Sequence, residues 1–276
     1  MKRHLQNALL LLLFILGLSV LLYPTVSNIW NRHVQTQVIV NCESVLEKMD
    51  NTDLNRAFAA AERYNEELSS LSDPLSSDNP VSGYSDILNV DGNGTMGSIQ
   101  IEKIQVLIPI RHSTTSDVLN TSAGHLEGSS LPIGGVGTHA VIVAHRALPS
   151  ARLFTDLDKL EIGDYFTITI LDRTLNYQID QIKVVEPWQI NDLYPVNGKD
   201  YCTLMTCTPY GVNTHRLLVR GTRINEAEIP AKNKTEDNVI QKKYSLIVIT
   251  IFIVVFLIFL LCISIKLSIK RKKQLI

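Results

Sequence analysis

Two long apolar runs, one near each end of the chain, set the strongest limit on how this polypeptide folds. They cover residues 8–22 and 244–265, and a helix needs about 20 such residues to cross a bilayer core. We expect residues 1–23 to form an uncleaved N-terminal anchor, because Thr25 and Ser27 offer only a weak cleavage pattern for a signal peptide. The sequence therefore predicts two transmembrane helices with one large domain between them.

Basic residues at both tips predict the orientation of these helices. Lys2 and Arg3 precede the first run, and a basic tail, residues 266–276, follows the second. Since positive charge marks the cytoplasmic side, we predict a two-pass protein of the cell membrane with cytoplasmic termini and an extracellular middle. Seven of the 26 basic residues lie in these ends, which leaves the middle with 19 basic and 27 acidic residues, a formal charge of −8. That charge argues against a nucleic-acid partner.

Composition and periodicity divide the middle of the chain into four parts. Residues 24–70 carry apolar side chains at helical spacing and are predicted to form a helical stalk. Residues 71–97 are polar and rich in Pro and Gly, which predicts a long loop that serves as a lid or a linker. Residues 98–225 contain many short strands separated by turns, a pattern typical of an antiparallel barrel or sandwich. Residues 226–243 are a linker to the second helix.

The segment from Asp200 to Gly221 carries the strongest chemical signal. It reads as a strand that ends at Cys207, a loop with Pro, Gly and Asn, and a second strand that starts at Arg216. A thiol at a strand end, beside a loop and near a fixed cation, can be held as a thiolate and reached by substrate. The residues alone leave two interpretations about equal: Cys207 is a nucleophile, or it is a small buried hydrophobic residue. Cys202 lies on the opposite strand face, so the two cysteines do not suggest a disulfide.

Three of the seven histidines are candidates for the base that a catalytic thiol needs. His139 and His145 share the predicted strand 138–146 and would stand roughly 20 Å apart, so at most one of them can reach Cys207. His145 is favoured because it ends its strand as Cys207 ends its own, and functional residues favour such edges. His139 and His215 remain open alternatives on spacing alone.

The motif from Thr203 to Cys207, TLMTC, resembles the TLxTC signature of sortases. The longer stretches TCTPYGVNTHRLLVRG and GGVGTHAVIVAHRALPSARLFTDLDKLEIGD resemble the class C, pilin-polymerising sortases of Gram-positive bacteria. The resemblance covers residues 98–223. It implies an eight-stranded sortase-type β-barrel with N-terminal helices, and it implies neither a cofactor nor a metal. It also implies that Cys207 is the nucleophile, His145 the general acid/base and Arg216 the cation that stabilises the transition state.

The reaction implied by the resemblance is transpeptidation. Cys207 would attack the Thr–Gly bond of an LPxTG-like sorting signal on an exported pilin or surface protein, and a lysine of the next pilin would resolve the thioester as an isopeptide bond. A housekeeping-type sortase that attaches proteins to peptidoglycan is the nearest alternative. A thiol peptidase that only hydrolyses and a non-catalytic membrane scaffold are the others.

The family resemblance also implies a lid over the active site, built on an Asp-Pro-aromatic motif. Asp73, Pro74 and Leu75 stand at the matching place, with Leu75 departing from the aromatic residue. We expect Asp73 to face Arg216 and Leu75 to cover Cys207 weakly, since an aliphatic side chain buries less surface than an aromatic ring. An ordinary Asp-Pro turn is the alternative. A second departure is that alanines, Ala144 and Ala147, flank His-Arg where the family usually has glycine.

Overall fold

A computed structural model describes residues 2–76, 81–225 and 256. The predicted linker (226–243), second transmembrane helix (244–265) and basic tail (266–276) lie outside the described residues, apart from Phe256. The same is true of residues 77–80 in the predicted lid loop.

The chain begins with one uninterrupted helix, α1, from Lys2 to Leu46. Its N-terminal part is long and apolar enough to cross a membrane, which by itself is also true of a signal sequence. The helix continues through Pro24, so the predicted boundary between anchor and stalk at residue 24 is not a structural break. Proline costs a helix about 3 kcal/mol locally, and the hydrogen bonds of a 45-residue helix offset that cost.

The second helix, α2, runs from Asn51 to Ser69. Its N-cap is Asp50, whose carboxylate accepts a 2.8 Å hydrogen bond from the backbone N–H of Asp53. The predicted helical stalk, residues 24–70, is thus made of the end of α1 and the whole of α2. Its buried face, formed by Phe58, Ala61, Tyr64 and Leu68, packs into the main hydrophobic core.

Eight strands close into a barrel with the order β1-β2-β3-β4-β7-β8-β6-β5, which confirms the predicted mainly-β fold of eight strands. Their bounds are β1 Thr95–Ile101, β2 Val106–His112, β3 Ala123–His125, β4 Thr138–Val143, β5 Tyr165–Ile170, β6 Arg173–Val185, β7 Asp200–Thr208 and β8 His215–Ile224. One short helix, α3, and three 3-10 turns complete the described elements: α3 Ser116–Leu119, Glu102–Ile104, Leu157–Lys159 and Asn191–Leu193. The first strand starts three residues before the predicted boundary at residue 98.

Most strand pairs are antiparallel, but β2 with β3 and β4 with β7 are parallel. Parallel pairing of β4 and β7 brings the carboxyl ends of both strands to the same end of the barrel. Antiparallel pairing of β7 with β8, and of β6 with β8, adds the start of β8 and the end of β6 to that place. Four strand termini therefore meet at one end, called here the Cys207 end.

Alternating residues of these strands belong to two separate apolar clusters. On β7, Cys202 and Leu204 point into the barrel core, whereas Met205 belongs to a smaller outer cluster. That outer cluster is built on Val141, Leu193 and Leu218, and it adjoins the Cys207 end on the outer face of β4, β7 and β8. Because side chains alternate along a strand, Cys207 projects to the same outer face as Met205.

Candidate active site

Cys207 and Arg216 are direct partners across the antiparallel β7–β8 ladder. Directly opposed residues of such a pair point to the same face of the sheet, with Cβ atoms about 4.5–5.5 Å apart. Both residues are half-buried, so the thiol and the guanidinium are held by backbone pairing and remain open to solvent. The turn 209–214 that joins the strands is exposed, as the predicted loop requires.

His145 comes from the other side of β7. In the parallel β4–β7 ladder Val143 pairs with Met205, and the next backbone N–H, that of Ala144, donates to the carbonyl of Met205 at 3.2 Å. The Thr206 hydroxyl then donates to the carbonyl of Ala144 at 2.8 Å. If this register continued by one residue beyond Ala144 and Thr206, His145 would lie beside Cys207. Strand β4 ends at Val143, so the predicted strand end at His145 is wrong by two residues.

The position of the His145 backbone is fixed by the loop that follows it. Its carbonyl accepts a hydrogen bond from the backbone N–H of Phe154 at 3.1 Å, and Phe154 is fully buried in the core. The imidazole itself is half-buried and has no hydrogen-bond partner among the described residues. The ring is thus available to a substrate.

His139, an alternative base from the sequence, is already engaged at both ring nitrogens. Nδ1 lies 3.0 Å from the carbonyl of Tyr194, and Nε2 lies 2.7 Å from the Thr203 hydroxyl. Burial lowers the pKa of His139, and its strand position is opposite Tyr201, six residues before Cys207. Its role is therefore structural in this arrangement.

His215, the other alternative, is the cross-strand partner of Thr208, so it projects to the face opposite that of Cys207. Its Nε2 contacts the Glu186 carboxylate at 3.2 Å, and its Nδ1 lies 2.8 Å from the Thr214 hydroxyl. The geometry thus favours His145 over both alternatives.

Arg216 lacks an ion-pair partner within the part of the chain that the structure describes. Its guanidinium donates only to backbone carbonyls of its own loop, those of Asn213 at 3.4 Å and His215 at 3.2 Å. Arg220, four residues further on, makes two hydrogen bonds to Asp180, at 2.9 and 3.0 Å, and stacks on the ring of Tyr201. Arg220 is therefore engaged by its own partners, whereas Arg216 remains available to a substrate.

Arg146, which sequence reasoning did not single out, connects the His145 segment to the Cys207 segment. Its guanidinium donates to the Thr208 hydroxyl at 3.1 Å and to the Asp158 carboxylate at 2.5 Å, and it lies 5.8 Å from the centre of the Tyr210 ring. The side chain is only 8% exposed, and its Nε–H has no partner among the described residues. An arginine directly after a candidate base was the available signal, but its long-range partners were not readable from the sequence.

Ala147 follows Arg146 and has a φ of 65°, a left-handed conformation that alanine adopts only at a cost. The family resemblance placed a glycine here, and the left-handed backbone gives the physical reason. Ala144 is fully buried in the core and keeps its ladder hydrogen bond. Of the two alanines, only Ala147 is therefore in a strained backbone conformation.

The segment predicted as a lid packs on the outer face of the barrel. Pro74 is buried, and its carbonyl lies against Gly128 with no room for a side chain at that position. Leu75 packs on the outer apolar cluster, together with Met205. Asp73 accepts a 2.6 Å hydrogen bond from the Tyr194 hydroxyl.

The expected pairing of Asp73 with Arg216 is wrong as an ion pair, since the described residues contain no such contact. The carboxylate instead reaches the loop between β6 and β7, because Tyr194 follows the 3-10 turn that carries Leu193 of the outer cluster. The contact between Asp73 and Tyr194 is not evident from the sequence, since 121 residues separate them.

Cys202 and Cys207 are both free thiols. Cys202 is completely buried in the barrel core, and burial raises its pKa well above the usual value. It therefore stays protonated and unreactive at neutral pH. The expectation that the two cysteines lie on opposite strand faces is confirmed by their different surroundings, and Cys207 is the exposed one of the pair.

A closed barrel that brings a half-exposed cysteine, a free histidine and an uncommitted arginine to one end has the layout of an enzyme of thiol-dependent acyl transfer. Residues 99–224 match the family described as the sortase domain. The crystal structure of sortase C1 from Streptococcus agalactiae is 47% identical, with a TM-score of 0.65 and coverage of 69% of this chain and 99% of that chain.

Two further relatives agree with this assignment. The crystal structure of sortase C-1 from Streptococcus pneumoniae is 44% identical, with a TM-score of 0.61 and coverage of 68% of this chain and 98% of that chain. Sortase A of Bacillus anthracis is 25% identical over 135 residues, which make up 48% of this chain and 61% of that protein, less than two thirds of its length. The chain belongs to the sortase family of cysteine transpeptidases.

Proposed function

We propose that this protein is a membrane-anchored transpeptidase that cleaves an LPxTG-like sorting signal between Thr and Gly and joins pilin subunits through a lysine isopeptide bond. The observation that carries the proposal is the register at the Cys207 end: Arg216 is the direct cross-strand partner of Cys207, and the β4–β7 ladder leads His145 to its other side. A nucleophile, a proton carrier and a fixed cation are the three groups that this chemistry requires.

The thiolate of Cys207 attacks the threonine carbonyl carbon, and the carbonyl electrons move to oxygen. The Arg216 guanidinium stabilises that oxyanion. His145 donates a proton to the glycine nitrogen as the C–N bond breaks, and a thioester remains on Cys207. An acceptor amine then loses its proton to His145 and attacks the thioester, which forms the new amide and restores the Cys207 thiolate and the protonated His145.

Pilin polymerisation is favoured over attachment to peptidoglycan by the segment that carries Leu75. Its contact with the outer apolar cluster is consistent with a lid made of Asp73, Pro74 and Leu75. In addition, a relative that is 45% identical, with a TM-score of 0.60 and coverage of 67% of this chain and 95% of its own, is described as a pilus-related sortase C of group B Streptococcus. The sortase A of Bacillus anthracis keeps a housekeeping-type sortase as the second candidate.

The anchoring belongs to the same proposal. Residues 1–23 form the N-terminal anchor, 244–265 the C-terminal transmembrane helix, and the barrel between them lies outside the cell, where exported pilins are found. The apolar start of α1 supports the first of these spans.

The full chain in detergent micelles, mixed with a sorting-signal peptide and a pilin domain that offers a lysine, tests the proposed reaction. We expect a peptide–pilin conjugate by mass spectrometry and a thioester adduct on Cys207. Cys207→Ala should abolish both products, and Cys42→Ala, which removes a free thiol on α1, should leave them unchanged. Free peptide acid as the sole product in the presence of a competent lysine would instead support a hydrolase. Transfer to a peptidoglycan amine in preference to lysine would support the housekeeping alternative.

A further inference from the structure

Helix α1 docks on the loop that carries the candidate base. The Asn31 amide and the Ser27 hydroxyl donate to the carbonyl of Ser150 at 2.6 and 3.1 Å, and the Asn28 side-chain oxygen accepts from the backbone N–H of Arg152 at 3.1 Å. Ser150 is five residues after His145. The first turns of α1 beyond the predicted anchor are therefore fixed to the Cys207 end of the barrel.

The rest of α1 leads away from that end. One turn after Asn31, Gln35 donates to the carbonyl of Thr121 at 2.7 Å, and later residues of the helix share a cleft with Thr95 and Arg111. Thr95 and Arg111 are cross-strand partners where β1 begins. Strand β6 is antiparallel to β8, β5 to β6, and β1 to β5. The start of β1 therefore lies at the end of the barrel opposite to Cys207.

This direction sets the height of the candidate active site above the membrane. If the anchor ends at Tyr23, Asn31 lies eight residues later, a rise of roughly 12 Å along a helix. The interfacial region adds roughly 5–8 Å on each side of a bilayer core, so Asn31 lies just beyond it. Tyr23 and Trp30 are both exposed on this stretch, and tyrosine and tryptophan favour the boundary between lipid and water. The Cys207 end is thus the end next to the bilayer.

Exposed apolar side chains project from the loops of that same end. Tyr210 and Val212, in the β7–β8 turn, are 61% and 64% exposed, and Trp188 is 73% exposed. Trp188 stands two residues after Glu186, which contacts the start of β8 through its bridge to His215. Arg152 of the docked loop, which pairs with the Asp156 carboxylate, is an electrostatic neighbour of Arg32 of α1 at this level.

We propose that Trp188, Tyr210 and Val212 form a membrane-contacting rim, which seats the Cys207 end on the outer surface of an anionic bilayer. The inference rests on the proposed N-terminal anchor, because the anchor sets the distance between rim and lipid. Tryptophan, tyrosine and an aliphatic residue are the side chains that partition into the interface. With the rim seated, Cys207 is presented to substrates that are held at the membrane surface.

The two tryptophans of the chain make a direct test possible. In Trp30→Phe, Trp188 is the single tryptophan. We expect loss of most of its emission when the full chain is reconstituted in phosphatidylcholine–phosphatidylglycerol vesicles whose lipids carry bromine near the headgroup end of the acyl chains. The matched control places the tryptophan at the far end as Val136→Trp, in a Trp30→Phe, Trp188→Phe background. Val136 is 81% exposed and lies just before the start of β4. The emission of the tryptophan introduced there should be retained.

The outcomes separate the rim from the anchor. Quenching of Trp30 in Trp188→Phe, without quenching of Trp188 in Trp30→Phe, overturns the rim and leaves the anchor intact. Absence of quenching at both positions overturns the anchor, and the rim with it. If the brominated lipids do not quench Trp188 and its emission shifts only when the pilin domain is added, the rim is overturned and these residues are assigned to a protein partner.

A second measurement follows the function of the rim. Val212→Ser and Trp188→Ser should slow cleavage of a sorting signal that is anchored in the same vesicle by an apolar segment. Cleavage of a soluble sorting peptide should keep the rate of the unaltered chain. Equal losses on both substrates would contradict a membrane role.

Discussion

The ion pair between Arg146 and Asp158 yields a sharp prediction about stability, because the two partners differ in burial. The Arg146 side chain is 8% exposed and that of Asp158 is 46% exposed. Asp158→Asn leaves a buried guanidinium without its counter-charge. Breaking a fully buried pair in this way costs about 3–5 kcal/mol, and solvent at the half-exposed aspartate reduces the expected loss to about 2 kcal/mol.

Removal of the arginine should cost less than removal of its acid. Arg146→Met gives up a charge-assisted hydrogen bond to Thr208, but it also removes the buried Nε–H that has no described partner, so the net loss is about 1 kcal/mol. In the double variant no buried charge is left. We therefore expect the double variant to be about as stable as Arg146→Met and more stable than Asp158→Asn.

The assay is urea unfolding of the full chain in micelles, followed by circular dichroism of the barrel, for both single variants and the double variant. The exposed pair of Arg56 with Asp53 on α2 is the matched control, and its coupling free energy should stay below about 0.5 kcal/mol. Additive losses at Arg146 and Asp158 would refute the reasoning. Arg146→Met should also slow peptide cleavage in conditions where the chain stays folded, since its bond to Thr208 holds the Cys207 segment beside His145.

Three further predictions follow from single contacts. Ala147→Gly should raise stability by about 1 kcal/mol in thermal unfolding, because glycine adopts the left-handed backbone at this position without strain, and an unchanged or lower midpoint would contradict this. Tyr194→Phe removes the hydrogen bond to Asp73, so alkylation of the Cys207 thiol should become faster while the free energy of unfolding falls by no more than about 1 kcal/mol, and an unchanged rate would show that this bond does not hold a cover. Burial lowers the pKa of His125 to about 4, so the unfolded chain binds a proton at this histidine before the folded chain does as the pH falls. The free energy of unfolding should therefore drop by roughly 2–3 kcal/mol between about pH 6.5 and pH 4. His125→Gln should flatten that pH dependence in urea unfolding at several pH values.

The barrel and the position of Cys207 were predictable because both depend on short-range patterns. Alternation of apolar residues marked β7, and the Pro-Gly-Asn loop marked its turn into β8, so the pairing of Cys207 with Arg216 followed from a single hairpin. The choice of His145 over His139 was not decided by spacing, since β4 and β7 are parallel and far apart in sequence. It needed the resemblance, and the partners found for both nitrogens of His139 give the physical reason against that alternative.

The contacts that sequence reasoning missed all join distant segments through side chains. Asp73 meets Tyr194 rather than Arg216, and the partners of Arg146 come from two other elements. Neither set of contacts produces a periodic pattern in the sequence. The continuity of α1 through residue 24 was missed for a different reason, because the boundary followed the end of the apolar run, and a change in composition does not mark the end of a helix.

The contrast between ladder and side-chain contacts also bears on how the predicted lid would regulate access to the site. Cys207 and Arg216 are positioned by backbone pairing within a closed barrel, so they change place only if the barrel opens. The described part of the predicted lid is held by the Asp73–Tyr194 hydrogen bond, worth about 1 kcal/mol net, and by the partial burial of Leu75, worth about 1–2 kcal/mol.

Together, this hydrogen bond and the burial of Leu75 favour a closed arrangement of the predicted lid over an open one by a factor of roughly 30–150. A sorting peptide that buries its own apolar residues on the outer cluster can exceed it, because the peptide would compete with Leu75 for the same surface beside Met205. Replacing Leu75 with Trp should therefore deepen closure and slow both thiol alkylation and peptide cleavage. Replacing Leu75 with Ala should speed alkylation. Equal alkylation rates for the two variants would mean that this segment does not control access to Cys207.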